Sequence, residues 1–129
     1  MNYQGSTQFT LKSQAKANII SVQATDQQGN PVSVFSRGTN GFVKVVLSAE
    51  SSTPSLVTVN LFDSELTSLG IGSFKSTLSP GQSEIILSFF IPNDAVVGTA
   101  NTYVNIFSDW PSTGGVPLTR EATSSVEIK

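Results

Sequence analysis

Apolar residues in this chain recur at every second position. The runs that carry them are broken at roughly 8–12-residue intervals by Gly, Pro, Asn, Asp and Ser. A period of two is that of a strand, whose side chains point alternately to opposite faces, and it is incompatible with an amphipathic helix. The run NIISVQAT, 18–25, puts Ile20, Val22 and Ala24 on one side, and FVKVVLSA, 42–49, does so with Val43, Val45 and Leu47. LVTVNLF, 56–62, offers Val57, Val59 and Leu61, and SEIILSFFI, 83–91, offers Ile85, Leu87, Phe89 and Ile91. Val104 and Ile106 follow in TYVNIF, 102–107, then Ala122, Val126 and Ile128 in the last run. Weaker edge strands are expected around Ile71 and Phe74, and around Phe9 and Leu11.

The punctuation between these runs is chemical. DQQGNPV, 26–32, is a turn in which Gly29 supplies a positive φ and Pro31 ends pairing. STPS, 52–55, reads as a loop, SPGQ as a turn, and DSELTSLG, 63–70, as a loop crossing between two sheets. Seven to nine strands without a long helix predict an all-β, immunoglobulin-like, two-sheet Greek-key sandwich. Residues 1–14 are expected to form an N-terminal segment or edge strand, and 15–129 a single domain. A chain of 129 residues is long enough to bury one such core.

The surface of that sandwich is unusual. Charged residues are 12 % of the chain, while 20 Ser and 13 Thr supply most of the polarity. Hydroxyls and amides stay hydrated when carboxylates are protonated, which suits an extracytoplasmic, even acidic, setting. A net charge of −2 without a basic stripe excludes phosphate-backbone recognition, so no nucleic-acid partner is expected. With no Cys there is neither a disulfide framework nor a thiolate metal site. With no His the commonest catalytic base and metal ligand is missing too. The opening MNYQGSTQFTLKSQ has no signal-peptide character and no window spans a membrane, so the chain is expected to be a soluble fragment.

Once the core set is assigned, apolar residues are left over on the alternate positions. Ile86 and Phe90 leave one strand on its outer face, Tyr103 and Phe107 another, and Phe42 and Val46 a third with Lys44 between them. A sandwich buries one face per sheet, so such residues are either covered by the chain itself or mark a contact surface. Trp110, the sole Trp, adds a rigid aromatic in the long loop SDWPSTGGVP, 108–117. Ile86, Phe90, Tyr103, Phe107 and Trp110 are therefore the candidate partner-binding residues. The partner expected is protein, either a neighbour or a second copy.

No arrangement places a nucleophile beside a base, and GIGSF, 70–74, is only superficially a GxSxG motif, so no enzyme is expected. Asp63 with Glu65, and Asp94 with Asp109, do not have the spacing of a calcium loop, and no metal or cofactor is expected.

The stretch FIPNDAVVGTA, 90–100, followed by YVNIF, 103–107, resembles immunoglobulin-like modules of prokaryotic surface proteins. The DQQGNPV turn looks like the turn near the start of such modules, and VNIFSDWPSTGGVP, 104–117, is similar to archaeal envelope proteins of this type. The resemblance implies a structural, protein-binding module of an archaeal cell envelope. Among such proteins the size of the chain, its lack of Cys and His and the expected fold suit the soluble domain by which an archaellum stator grips the S-layer. Two further readings stay open. One is a filament subunit whose STQFTLKS segment completes a neighbour's sheet; the other is an accessory carbohydrate-binding module using Tyr103 and Trp110.

Overall fold

A computed structural model describes residues 17–129. The expected edge strand at Phe9 and Leu11 and the boundary after residue 14 lie outside the described residues. Among the described residues eight strands run in chain order: β1 (Ala17–Thr25), β2 (Val34–Phe35), β3 (Asn40–Ala49), β4 (Thr53–Phe62), β5 (Ser68–Leu78), β6 (Gly81–Phe90), β7 (Gly98–Phe107) and β8 (Ala122–Ile128). They form a three-stranded sheet of order β1-β3-β6 and a five-stranded sheet of order β2-β8-β7-β4-β5. Among the described residues only the short β2–β8 pair is parallel. The connections are those of an immunoglobulin-like Greek key, as the alternation predicted.

The inward residues meet between the sheets. Val43, Val45 and Leu47 of β3 are fully buried, as are Val57, Val59 and Leu61 of β4, Val104 and Ile106 of β7, and Ile128 of β8. Phe89 of β6 reaches across to β5, where Gly70 and Gly72 leave room for its ring; a methyl on Gly70 would overlap it. The GIGSF stretch thus serves packing. Gly98 begins β7 at φ +135°, a conformation closed to other residues, which accounts for the glycine in the VVGTA run.

Three local expectations are corrected. Ile20 is not in the core: a β-bulge between Ile19 and Ser21 shifts the phase of β1, so Ile19, Val22 and Ala24 pack inward while Ile20 is half exposed. Residues 53–55 are not loop but the start of β4. Pro54 is tolerated there because β7 joins β4 only from Leu56 onward, leaving that side of the strand an edge. Residues 63–67 do not cross between sheets; they form the tip of a hairpin joining β4 to its neighbour β5.

That hairpin is built on Asp63. Its Oδ1 accepts the backbone N–H groups of Glu65 and Thr67, both at 2.9 Å, and the residue is 2 % exposed. Replacing Asp63 with Ala is expected to cost about 1–3 kcal/mol, because two N–H groups lose their acceptor. Asp63→Asn keeps an acceptor oxygen and is expected to lose less, as chemical denaturation of the two variants will record.

Candidate functional site

The outer face of the five-stranded sheet collects the alternate residues of β4 and β7. Asn60 lies opposite Tyr103, and Phe62 opposite Asn101. The rings of Phe62 and Tyr103 meet edge to face, with centroids 5.7 Å apart and planes at 70°. On the β8 side Asn105 Nδ2 donates to Glu121 Oε2 at 2.9 Å. The hairpin tip brings Leu66 to the same place. Together Asn60, Phe62, Leu66, Tyr103 and Glu121 line an open groove of about 390 Å³. An aromatic floor with an amide and a carboxylate at its margin is the chemistry that holds a small amphipathic ligand in orientation.

The other end of this face is closed by the chain. Leu56 is fully buried although it points away from the core. Its cross-strand neighbours are Lys75 and Phe107, and Lys75 Nζ reaches Asp109 Oδ1 at 2.8 Å, so an ion pair spans the strand above it. The segment after β7 folds on itself through Ser108 and Val116, with one 3-10 turn at Pro111–Thr113. Trp110 precedes that turn and is 43 % exposed.

The five residues singled out in the sequence thus divide between two surfaces. Tyr103 and Phe107 share the outer face of the five-stranded sheet, with Trp110 beyond its closed end. Ile86 and Phe90 stand on the outer face of the other sheet, 41 % and 57 % exposed, with Ser88 between them. The 26–32 turn lies against part of that second face: Gly29 neighbours Ile86, and Lys44 Nζ donates to the Gly29 carbonyl at 3.3 Å. Lys44 also pairs with Glu84 at 3.9 Å, setting charge among the apolar residues.

Asn60, Phe62, Leu66 and Glu121 were missed. The phase of β4 could have found two of them, since Val57, Val59 and Leu61 inward leave Asn60 and Phe62 outward. Leu66 was hidden by reading its hairpin as a crossing loop, and Glu121 needs the β7–β8 pairing to be known.

Two of the carboxylates weighed as oxygen ligands, Asp63 and Asp109, have other partners here. Asp63 holds its turn, and Asp109 is drawn below the usual carboxylate range by the Lys75 ammonium, then by the Trp110 N–H. Asp26 is likewise lowered, first by the Asn30 N–H and further by the Asn30 side chain and the Gln28 N–H. For both, folding is favoured by ionisation. Their contribution is present above the ordinary carboxylate pKa and is lost only as pH falls through the lowered folded value.

No family model and no curated protein matches this sequence. Among solved structures, the C-terminal domain of Wzt is similar with a TM-score of 0.72 at 14 % identity, over 90 % of this chain and 75 % of that one. The alkylpurine DNA glycosylase AlkC of Pseudomonas fluorescens, bound to DNA containing an abasic site analogue, matches with a TM-score of 0.58 at 16 % identity, over 89 % of this chain and 31 % of that one. A mutant β-glucosidase of Listeria innocua in complex with laminaribiose gives 0.54 at 12 %, over 88 % and 16 %. At these identities the likeness is one of fold. In the two enzymes the matched part is a minor share of the chain.

Proposed function

We propose that this domain is a non-catalytic binding module of a cell envelope, extracytoplasmic in location, and that its ligand is carbohydrate held on the outer face of the five-stranded sheet. One observation carries the reading: the Phe62–Tyr103 pair floors an open groove whose margin is Asn60 and the Asn105-bonded Glu121. A sugar ring has an apolar face of C–H groups and a rim of hydroxyls. Aromatic rings match the first, while amide and carboxylate oxygens match the second. The recurrence of this fold within a laminaribiose-bound glucosidase chain fits the reading. So does a surface rich in Ser and Thr. Screening the protein on a glycan array tests it: a set of structurally related glycans should be retained, and retention should fall when Tyr103 is replaced by Ala.

A second contact, with protein, is favoured by Phe90 and Ile86 standing exposed on the opposite face. In size-exclusion chromatography with light scattering, a discrete dimer that Phe90→Ser returns to monomer supports self-contact there. A monomer at neutral pH and at about pH 4 argues against it. The narrower reading, an archaellum anchor gripping the S-layer, draws its support from the size of the domain, its lack of Cys and His and its all-β fold.

A further inference from the structure

Two turns in this chain share one hydrogen-bond plan. In the first, Asp26 Oδ1 accepts the N–H of Gln28 and Asn30, the Asp26 N–H donates to the Asn30 carbonyl, and Gly29 N–H donates to the Asp26 carbonyl. In the second, Asp63 Oδ1 accepts from Glu65 and Thr67, the Asp63 N–H donates to the Thr67 carbonyl, and Leu66 N–H donates to the Asp63 carbonyl. The fourth residue takes a positive φ in both, +88° at Gly29 and +65° at Leu66. Glycine adopts this conformation freely, and a leucine does not. Leu66 is the one non-glycine residue with positive φ among the described residues, and it is 73 % exposed. Burial within the fold therefore does not offset its strain. What the leucine does is wall the groove beside Phe62 and Tyr103. Strain held at a ligand-facing position is a mark of function.

Resting on the carbohydrate reading, we propose that Leu66 makes the groove selective for sugars that carry a methyl group, as an acetamido or a 6-deoxy substituent. An isobutyl wall gains by burying a methyl. It offers no partner to a hydroxyl, which would lose water against it. Burying one methyl amounts to about a fourfold gain in affinity.

The test is calorimetric titration with two matched pairs. Chitotriose against cellotriose compares acetamido with hydroxyl at C2, and D-fucose against D-galactose compares methyl with hydroxymethyl at C6. The methyl-bearing member of one pair should bind at least about fourfold tighter, and the pair that shows it identifies the substituent. Leu66→Gly should erase that preference while leaving the melting temperature unchanged or raised by up to about 5 °C, since the strain is relieved. Equal affinities in both pairs, a preference that survives Leu66→Gly, or a melting temperature lowered by more than about 3 °C overturns the inference. Measurable binding of cellotriose or D-galactose without preference overturns it alone. Absence of binding to all four sugars overturns the methyl preference, and if the glycan array also retains nothing it overturns the carbohydrate reading with it.

Discussion

Replacing Phe89 with alanine is expected to cost about 3–5 kcal/mol, because a buried ring between two sheets is lost and a cavity remains. The ring is 5 % exposed and lies on Gly70, with Gly72 also beside it, and neither glycine has a side chain to fill the space. Gly70→Ala alone should cost about 1–3 kcal/mol by the opposite route, since its methyl would overlap the ring and force it off its rotamer. The informative variant is the double one. With Phe89 shortened, the Gly70 methyl enters vacated space, so the combined loss should fall short of the sum by more than about 0.5 kcal/mol. Urea denaturation of the four proteins measures this. Simple additivity would mean that the ring and the glycine do not share the space described here.

On the binding side, Tyr103→Ala is expected to weaken a retained glycan at least about tenfold, the range of a central aromatic contact. Tyr103 is half buried on the outer face, opposite Asn60 and Thr123, and the core residues beside it, Thr102 and Val104, face the other way. Its removal should therefore leave the fold in place. Tyr103→Phe keeps the ring and should keep most of the affinity. Phe90→Ser, on the opposite sheet, should change affinity less than about twofold. If Phe90→Ser weakens the glycan as much as Tyr103→Ala, the site lies on the wrong face.

Much of this architecture was legible in the alternation alone. Where a strand is regular, as in β3 and β7, period two assigns each side chain to its face, and Val43, Val45, Leu47, Val104 and Ile106 are buried as expected. Two of the three misreadings fall where the backbone departs from that period; the third, at 53–55, comes from Pro54 reading as a strand breaker in what is an edge stretch of β4. A bulge in β1 sends Ile20 outward, and no residue type announces it. At 63–67 the serine, glutamate and threonine read as generic loop, because the decisive feature is one carboxylate accepting two N–H groups. The likeness of D-Q-Q-G-N to D-S-E-L-T became visible only through hydrogen bonds, since Leu66 stands where the pattern calls for glycine.

The candidate site was less legible, for a different reason. Alternation says that Ile86, Phe90, Tyr103 and Phe107 point outward, but not which sheet each strand joins. β6 and β7 follow each other in sequence and lie in different sheets, so residues that read as one patch occupy opposite faces. Phe62 and Glu121 enter the groove only because β4 and β8 flank β7. Strand order is set by long-range pairing, and single-sequence patterning carries little of it.

The most direct test is an NMR titration of the isotope-labelled domain with its best-retained glycan. Saturable shifts confined to Asn60, Phe62, Leu66, Tyr103, Asn105 and Glu121 are the predicted result. Shifts centred on Ile86 and Phe90, or none at millimolar glycan, would contradict the assignment of this face as a carbohydrate site.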